Sequence, residues 1–288
     1  MTSTKPEQYT DYKTLRVTVN AGVAYVTLDN PPVNTIDVDL MSDLGEFLGA
    51  VRTDDQVRVV VLQSANPEFF AAHADIGFMF DAGPLMALAL PDGDPALNPL
   101  QQLHERLRAL PQVTIAKLTG RLRAGGAELA MAADMRFAAH GATWLSQPET
   151  RMGIFPGGGG TQYLNRLMGR ARALEVVLGA ELFDADLAER YGWINRAVPA
   201  GELDIFVDTL ARRIAALPVG VAAAAMEALD AAEASGPVPH LAEEGAAHVK
   251  VYPSPKPVVE RMRAVMQGGA QTVAGELDLE RLLDGTPY

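Results

Sequence analysis

Apolar and polar positions change their period several times along the chain, and each change predicts an element. Leu15 to Val19 and Val23 to Leu28 are β-rich runs parted by Asn20-Ala21-Gly22, a hairpin-like break, and Pro31-Pro32 ends the second. Leu40, Met41, Leu44, Phe47, Leu48 and Val51 then recur at helical spacing, with Asp39 as the expected cap. Val57 to Leu62, apolar except for Arg58, reads as a strand buried on both faces. Residues 81–99 are rich in Gly, Pro and Asp and have no period, which predicts a mobile loop. Leu100, Leu103, Leu107 and Leu110 mark a helix face stopped by Pro111. Val113 to Leu118 predicts a strand, Ala127 to Ala133 a short apolar helix opened by Gly125-Gly126, and Asp134 to Ala139 a further strand. Pro156 and four glycines lead into a helix from about Thr161, and Asp184 caps another that stops at Gly192. From Glu202 the strand pattern disappears, and Pro218, Pro237, Pro239, Pro253 and Pro255 punctuate a series of helices. Strand, strand, helix, strand is an α/β signature. The expectation is an α/β core over residues 1–201 and a helical C-terminal region over residues 202–288.

Composition narrows the function classes. A chain of 288 residues buries a sizeable core without difficulty. Its 36 acidic and 24 basic side chains give a formal charge of −12, a field that repels nucleic acid and anionic membrane surfaces. There is no cysteine, hence no disulfide framework and no thiolate metal site. The segment from Met1 to Asp11 is polar and lacks the apolar core of a signal peptide, and no run of about 18 apolar residues occurs, so a cytoplasmic protein off the membrane is expected.

Three segments carry candidate chemistry: Phe70-Ala71-Ala72-His73-Ala74-Asp75-Ile76; Gly120-Arg121-Leu122-Arg123-Ala124-Gly125-Gly126-Ala127-Glu128-Leu129-Ala130; and Gln147-Pro148-Glu149 followed by Gly153-Ile154-Phe155-Pro156-Gly157-Gly158-Gly159-Gly160-Thr161-Gln162. A strand that ends in small residues exposes its backbone amides, and glycines at a helix N-terminus do the same while adding the positive end of the helix dipole. Two such amides aimed at one point form an oxyanion hole, where losing one donor costs about 2.7–4 kcal/mol of barrier. Glu128 falls in the first turn of the apolar helix, where burial would suit acid/base work. Taken singly, each residue has a plain reading: Glu128 as a solvated dipole partner, Glu149 as part of an ordinary loop string, Ala74 and Gly125 as packing residues. The run from Gly157 to Gly160 lacks the ending of a P-loop and the spacing of a dinucleotide loop, and reads as a turn that lets a helix pack close to the site. His104, His140, His240 and His248 are scattered without metal-ligand spacing and read as surface or structural.

In this order and at these spacings, the three strings resemble the signatures of the enoyl-CoA hydratase/isomerase (crotonase) superfamily, from about Leu15 to about Met266. The resemblance implies a crotonase-like α/β spiral of ββα turns followed by a helical C-terminal trimerisation region, assembled as a homotrimer or a dimer of trimers. It implies an acyl-CoA thioester as partner, with the backbone amides of Ala74 and Gly125 as the oxyanion hole and Glu128 and Glu149 as the catalytic carboxyls of an enoyl-CoA hydratase. It sets Ala72, His73, Asp75, Ile76 and Arg123 against the substrate. In that mechanism Glu128 assists the attack of water at Cβ and Glu149 supplies the Cα proton. Coenzyme A arrives as part of the substrate, and neither a metal nor another cofactor is expected. Isomerase, hydrolase or lyase chemistry on a specialised acyl-CoA, and a non-catalytic acyl-CoA-binding protein, are the alternatives; retention of both glutamates favours hydration.

Two stretches depart from the family pattern. His73 stands where glycine is common, and Arg121-Leu122-Arg123-Ala124 replaces a small or apolar run into a third glycine. Ala124 makes this backbone less permissive. Arg123 either contacts a polar group on the acyl chain, pairs with a glutamate or points outward; the first reading predicts that Arg123→Leu changes substrate preference. His73 reads as structural or as a pocket wall, because no acidic orienter is identifiable. Trp144 and Gln147 line the acyl pocket or belong to the core. Lys256, Arg261 and Arg263 read as a solvated face of a C-terminal helix, with phosphate contact as the other reading, and Leu277, Leu279, Leu282 and Leu283 as cover for a subunit interface.

Overall fold

The computed structural model describes residues 9–90, 93–232, 254 and 256–286. Its first unit is β1 (Leu15–Asn20), β2 (Val23–Leu28), α1 (Val38–Val51) and β3 (Val59–Ser64). β1 and β2 pair antiparallel across Ala21-Gly22, which both take positive φ (49° and 78°), the turn whose twist matches its flanking strands. β2 then pairs parallel with β3, a connection that needs a crossover, and α1 supplies it. The residues that recur at helical spacing form the buried face of α1. Its cap is Asp37, whose carboxylate accepts from the Leu40 N–H at 2.9 Å; the expected cap, Asp39, lies in the first turn instead.

The second unit is β4 (Phe69–Ala71), a 3₁₀ turn (Ile76–Met79), α2 (Gly83–Met86), α3 (Pro99–Arg108), β5 (Val113–Arg123), α4 (Gly125–Met131) and β6 (Met135–Ser146). The segment expected as one loop therefore holds α2 and Asn98, the cap of α3. β5 and β6 run well past the apolar runs that predicted them. The start of β5, Val113 to Ala116, pairs with β3, whereas Arg121 and Leu122 pair with β4. The register with β6 shifts between Leu118 and Gly120. Gly120 has φ 69°, and a Cβ there would fall onto the Glu68 backbone. This break turns β5 away from β3 and delivers its end beside the end of β4. β6 also pairs with β7 (Phe183–Asp184) and β8 (Arg196–Pro199), reached through a 3₁₀ turn (Pro148–Met152), α5 (Gly160–Met168), α6 (Arg170–Gly179) and α7 (Ala185–Tyr191). α7 starts at its Asp184 cap and stops at Gly192, as its sequence predicts.

No strand follows Pro199 among the described residues. α8 (Leu203–Ala215) sets Leu203, Val207, Ala211 and Ala215 against Val23, Val59 and Ile115 of the sheet, and α9 (Val221–Ala232) follows. Three further helices, α10 (Lys256–Gln267), α11 (Val273–Leu277) and α12 (Leu279–Asp284), close the chain. They fold back onto the second unit: Met262, Val265, Leu279 and Leu283 cluster with Ile76 and Met152. Leu279 and Leu283, expected at a subunit interface, are thus buried within the chain. Fully burying one such side chain contributes about 1.5–3 kcal/mol to docking. Pro237, Pro239, Pro253, Pro255, His240 and His248 lie outside the described residues.

Candidate active site

The turn after β4 and the N-terminus of α4 meet where β5 ends. Ile36 donates to the His73 carbonyl at 2.8 Å and accepts from the Asp75 amide at 3.0 Å. In an extended segment alternate residues face opposite edges, so the Ala74 amide is turned the other way. That edge is the one on which the Ala72 carbonyl accepts from the Arg123 N–H at 3.1 Å. Gly125 lies there as the first residue of α4, whose opening amides have no partner within the helix. The two residues are close: a Cβ on Gly125 would sit 2.9 Å from the Ala74 Cβ and 3.1 Å from the Ala74 nitrogen. Gly126 is equally constrained, since a Cβ there would collide with the Ala71 carbonyl.

Ala124 sets the direction of this corner. It sits at φ 46° and ψ −127°, a conformation that costs a non-glycine residue about 1–3 kcal/mol. Ala124→Gly relieves that strain and adds unfolded-state entropy of about 0.4–1 kcal/mol. The expected result is a net gain of about 1 kcal/mol, read as a higher denaturant midpoint at unchanged slope.

Two carboxyls are buried nearby, Glu128 at 1% exposure and Glu149 at 4%. Glu128 Oε1 accepts from the Gly158 and Gly160 amides, both at 2.9 Å. Glycine is required at both positions: a Cβ on Gly158 would collide with Glu128, and one on Gly160 would lie 2.9 Å from Glu128 Oε1. The glycine run is therefore a cradle for this carboxylate at the start of α5. Asn98 donates to the Gly157 carbonyl at 2.7 Å, polarising the peptide whose N–H reaches Glu128. His104 Nδ1–H donates to the Gly158 carbonyl at 2.7 Å, and burial pushes this imidazole down to about 4, so it is neutral at pH 7. Of its two readings, surface or structural, the structural one is realised: His104 is a buried part of the cradle. The Gln147 amide, oriented so that both its ends are satisfied, donates to the two Glu149 oxygens at 2.7 and 3.0 Å. Its other end lies toward Gly160, 3.2 Å from where a Cβ there would be. A groove of about 380 Å³ between α1 and α3, lined by Met41, Glu46, Leu88, Leu103 and Arg106, includes neither carboxyl.

The residues expected on the substrate are placed differently. Arg123 is fully buried and points into the C-terminal helices: Nε donates to Glu280 Oε1 at 2.9 Å, Nη2 to the Glu276 carbonyl at 3.0 Å, and Nη1 is 3.7 Å from Glu276 Oε2. Of its three readings, pairing with a glutamate is the one realised. His73 does have an acidic orienter, Glu276: Nε2 is 2.9 Å from its Oε1, while Nδ1 is 2.9 Å from the Ala74 carbonyl. Both ring nitrogens face acceptors, which suits the imidazolium. Asp75 caps the 3₁₀ turn by accepting from Gly77 and also accepts from Gln271 at 2.8 Å. Ala72 packs with Val33 and Phe69, and Ile76 with the C-terminal helices. Trp144 lies under the Arg121 guanidinium, 4.9 Å from the ring centre. Arg261 does not belong to a solvated face: it is buried and donates to the Thr286 and Leu283 carbonyls at 2.8 and 2.7 Å. Asn98, Glu276 and Glu280 lie outside the three motifs; Arg123, a buried charge that needs a partner, is the sequence signal for the two glutamates, and Asn98 has none.

The His73–Glu276 pair gives stability a pH dependence. Burial pushes His73 down, but the charge and hydrogen bond of Glu276 push it further up, and the net value is above the ordinary 6.5. Burial pushes Glu276 up, but His73, the Gln271 amide and Arg123 bring it below its ordinary 4.5. The His73 contribution is complete below 6.5 and is lost as pH rises through the raised folded value. The Glu276 contribution is complete above 4.5 and is lost as pH falls through the lowered folded value. Denaturant melts are expected to show a plateau between these limits, and Glu276→Gln to remove the decline on its alkaline side.

Comparison with known proteins identifies the family. The family model described as enoyl-CoA hydratase/isomerase matches residues 18–254. The short-chain-enoyl-CoA hydratase of Clostridium acetobutylicum is 33% identical over 201 residues, 69% of this chain and 74% of that protein. The crotonyl-CoA hydratase of Syntrophomonas wolfei is 34% identical over 182 residues, 63% of this chain and 67% of that protein. A crystal structure from Streptomyces avermitilis, described as that of a candidate enoyl-CoA hydratase, superposes with a TM-score of 0.90 at 48% identity, covering 96% of this chain and 98% of the other. The structure of Pseudomonas aeruginosa DspI superposes with a TM-score of 0.70 at 29% identity, covering 86% and 99%. The chain belongs to the enoyl-CoA hydratase/isomerase family.

Proposed function

We propose that the protein is an enoyl-CoA hydratase, adding water across the α,β-double bond of an acyl-CoA thioester. The observation that carries this reading is the close approach of the Ala74 and Gly125 backbones together with two buried carboxyls, Glu128 held by the Gly158 and Gly160 amides and Glu149 by Gln147. The amides bind the thioester oxygen and stabilise the negative charge that gathers on it as water attacks Cβ. Glu128, its carboxyl plane fixed by the Gly158 and Gly160 amides, takes a proton from water. Glu149 delivers a proton to Cα. Hydroxyl is gained at Cβ and hydrogen at Cα; Glu128 is left holding the proton from water and Glu149 is left ionised, and proton exchange with solvent after the product leaves returns both to their starting states. The thioester itself spreads the developing charge. Sequence relatives whose names state hydration of enoyl-CoA or crotonyl-CoA support this choice over isomerisation.

The same proposal includes action in the cytoplasm, in fatty acid metabolism, as a homotrimer or a dimer of trimers formed through the helical region from residue 202. Exposed apolar side chains such as Ile205, Val219 and Leu229 support an assembly that covers them. Among the described residues no helix is long and apolar enough to cross a membrane. The test is turnover of crotonyl-CoA and of polar and branched enoyl-CoAs, following loss of the conjugated thioester absorbance and gain of one water by mass. Product without added water assigns isomerase or lyase chemistry instead, and thermal stabilisation by acyl-CoA without turnover assigns a binding protein.

A further inference from the structure

Both segments that carry the two amides are tied to one buried side chain far away in sequence. Glu276, on α11, is fully buried, 203 residues from His73 and 153 from Arg123. His73 immediately precedes Ala74, and Arg123 lies two residues before Gly125. One carboxylate oxygen of Glu276 meets the His73 ring, whose other nitrogen holds the Ala74 carbonyl. The other oxygen faces Arg123, and the Glu276 backbone carbonyl accepts from the same guanidinium. The Gln271 amide fixes the carboxylate from behind at 2.6 Å, while the Gln271 side chain reaches Asp75. Two buried cations and a buried anion impose a desolvation cost that an entirely apolar cluster at the same place would avoid.

We propose that Glu276 is a positioning residue for the oxyanion hole, setting the spacing of the Ala74 and Gly125 amides through His73 and Arg123. This rests on the reading of those amides as the thioester site. Because Glu276 touches neither substrate nor carboxyl pair, its effect falls on kcat and not on the binding of coenzyme A. A displacement on the order of 1 Å at a catalytic group lowers the rate about 10²-fold.

The experiment combines kinetics with difference infrared spectroscopy of bound butyryl-CoA carrying a ¹³C-labelled thioester carbonyl. The band moves to lower frequency when the amides donate to it, and it needs no turnover to be read. Glu276→Gln is expected to lower kcat about 10²-fold, leave KM and coenzyme A affinity within about two-fold, and return the band toward its position in water. Glu276→Asp, which keeps the charge, is expected to recover part of both. A folded Glu276→Gln protein with wild-type kcat and band overturns the inference, as does a lower kcat with an unmoved band. The wild type supplies a reading that survives a misfolded variant. Around His73 the charged groups are Glu276 on α11, Arg123 on β5, Glu280 on α12 and Asp75 on its own turn. Deprotonating His73 by raising the pH removes its N–H from one partner, and the band should relax on that titration; a band constant through it overturns the inference. If crotonyl-CoA is not hydrated but the butyryl-CoA band shifts and responds to Glu276→Gln, the positioning role stands and hydration falls. If wild-type enzyme gives no band shift, the oxyanion reading falls and the inference with it.

Discussion

Glu128→Gln is expected to lower kcat for enoyl thioester hydration by about 10²–10⁴-fold, the range for a positioned acid/base group, with little loss of stability. The reason lies in how the carboxyl is held. Glu128 Oε1 accepts the Gly158 and Gly160 amides, and a glutamine oxygen can keep both bonds while losing the ability to exchange a proton. Glu128→Ala confounds the result, because it strands two buried donors at about 1–3 kcal/mol each. Glu149→Gln should cost a similar factor with a small structural price, since a side-chain amide still offers one oxygen to Gln147 where the carboxylate offers two. The double variant should be much less than multiplicatively worse, because the two groups act as a unit in one addition step. Steady-state kinetics on the wild type and these variants, with denaturant midpoints as the stability control, checks all three. Undiminished turnover in folded Glu128→Gln would remove Glu128 from the mechanism.

Gly125→Ala is expected to lower kcat by about 10²–10³-fold, the loss typical of one oxyanion donor. The new Cβ would sit 2.9 Å from the Ala74 Cβ and 3.1 Å from the Ala74 nitrogen. Both neighbours belong to backbone or to a methyl group that cannot rotate away, so the segments must separate. The amide of residue 125 survives the substitution; what changes is its distance from the Ala74 amide. The effect should therefore appear in kcat more than in the affinity for coenzyme A. The contrast with Ala124→Gly is informative, because that change one residue earlier adds freedom and no atoms. Equal turnover in Gly125→Ala and the wild type would rule out an oxyanion hole at this corner.

The chain's local periods determined a large part of this protein. The α1 face, the β1–β2 hairpin, the α7 cap and stop, and the end of strand pattern near residue 200 were all legible, because each depends on neighbours a few residues apart. The three motifs were legible for the same reason: small residues and glycines mark where backbone must approach something closely. That Gly158 and Gly160 admit a carboxylate, and that this carboxylate is Glu128, was decided only when α5 packed onto α4. Strand length was likewise a tertiary outcome: β5 and β6 extend beyond their apolar cores because each finds a second partner after the register shift near Gly120.

The fate of Arg123 and His73 shows where local reading stops. In sequence they are polar departures within a motif, and a substrate contact is the nearest use for them. In the fold their partners, Glu276 and Glu280, come from more than 150 residues away, and no local pattern specifies that pairing. Once the C-terminal helices dock through Leu279, Leu283 and Met262, the two cations are cut off from water and must be matched by anions on those helices. The sequence carries both halves of this arrangement; only burial, by making an unmatched charge costly, decides that they meet.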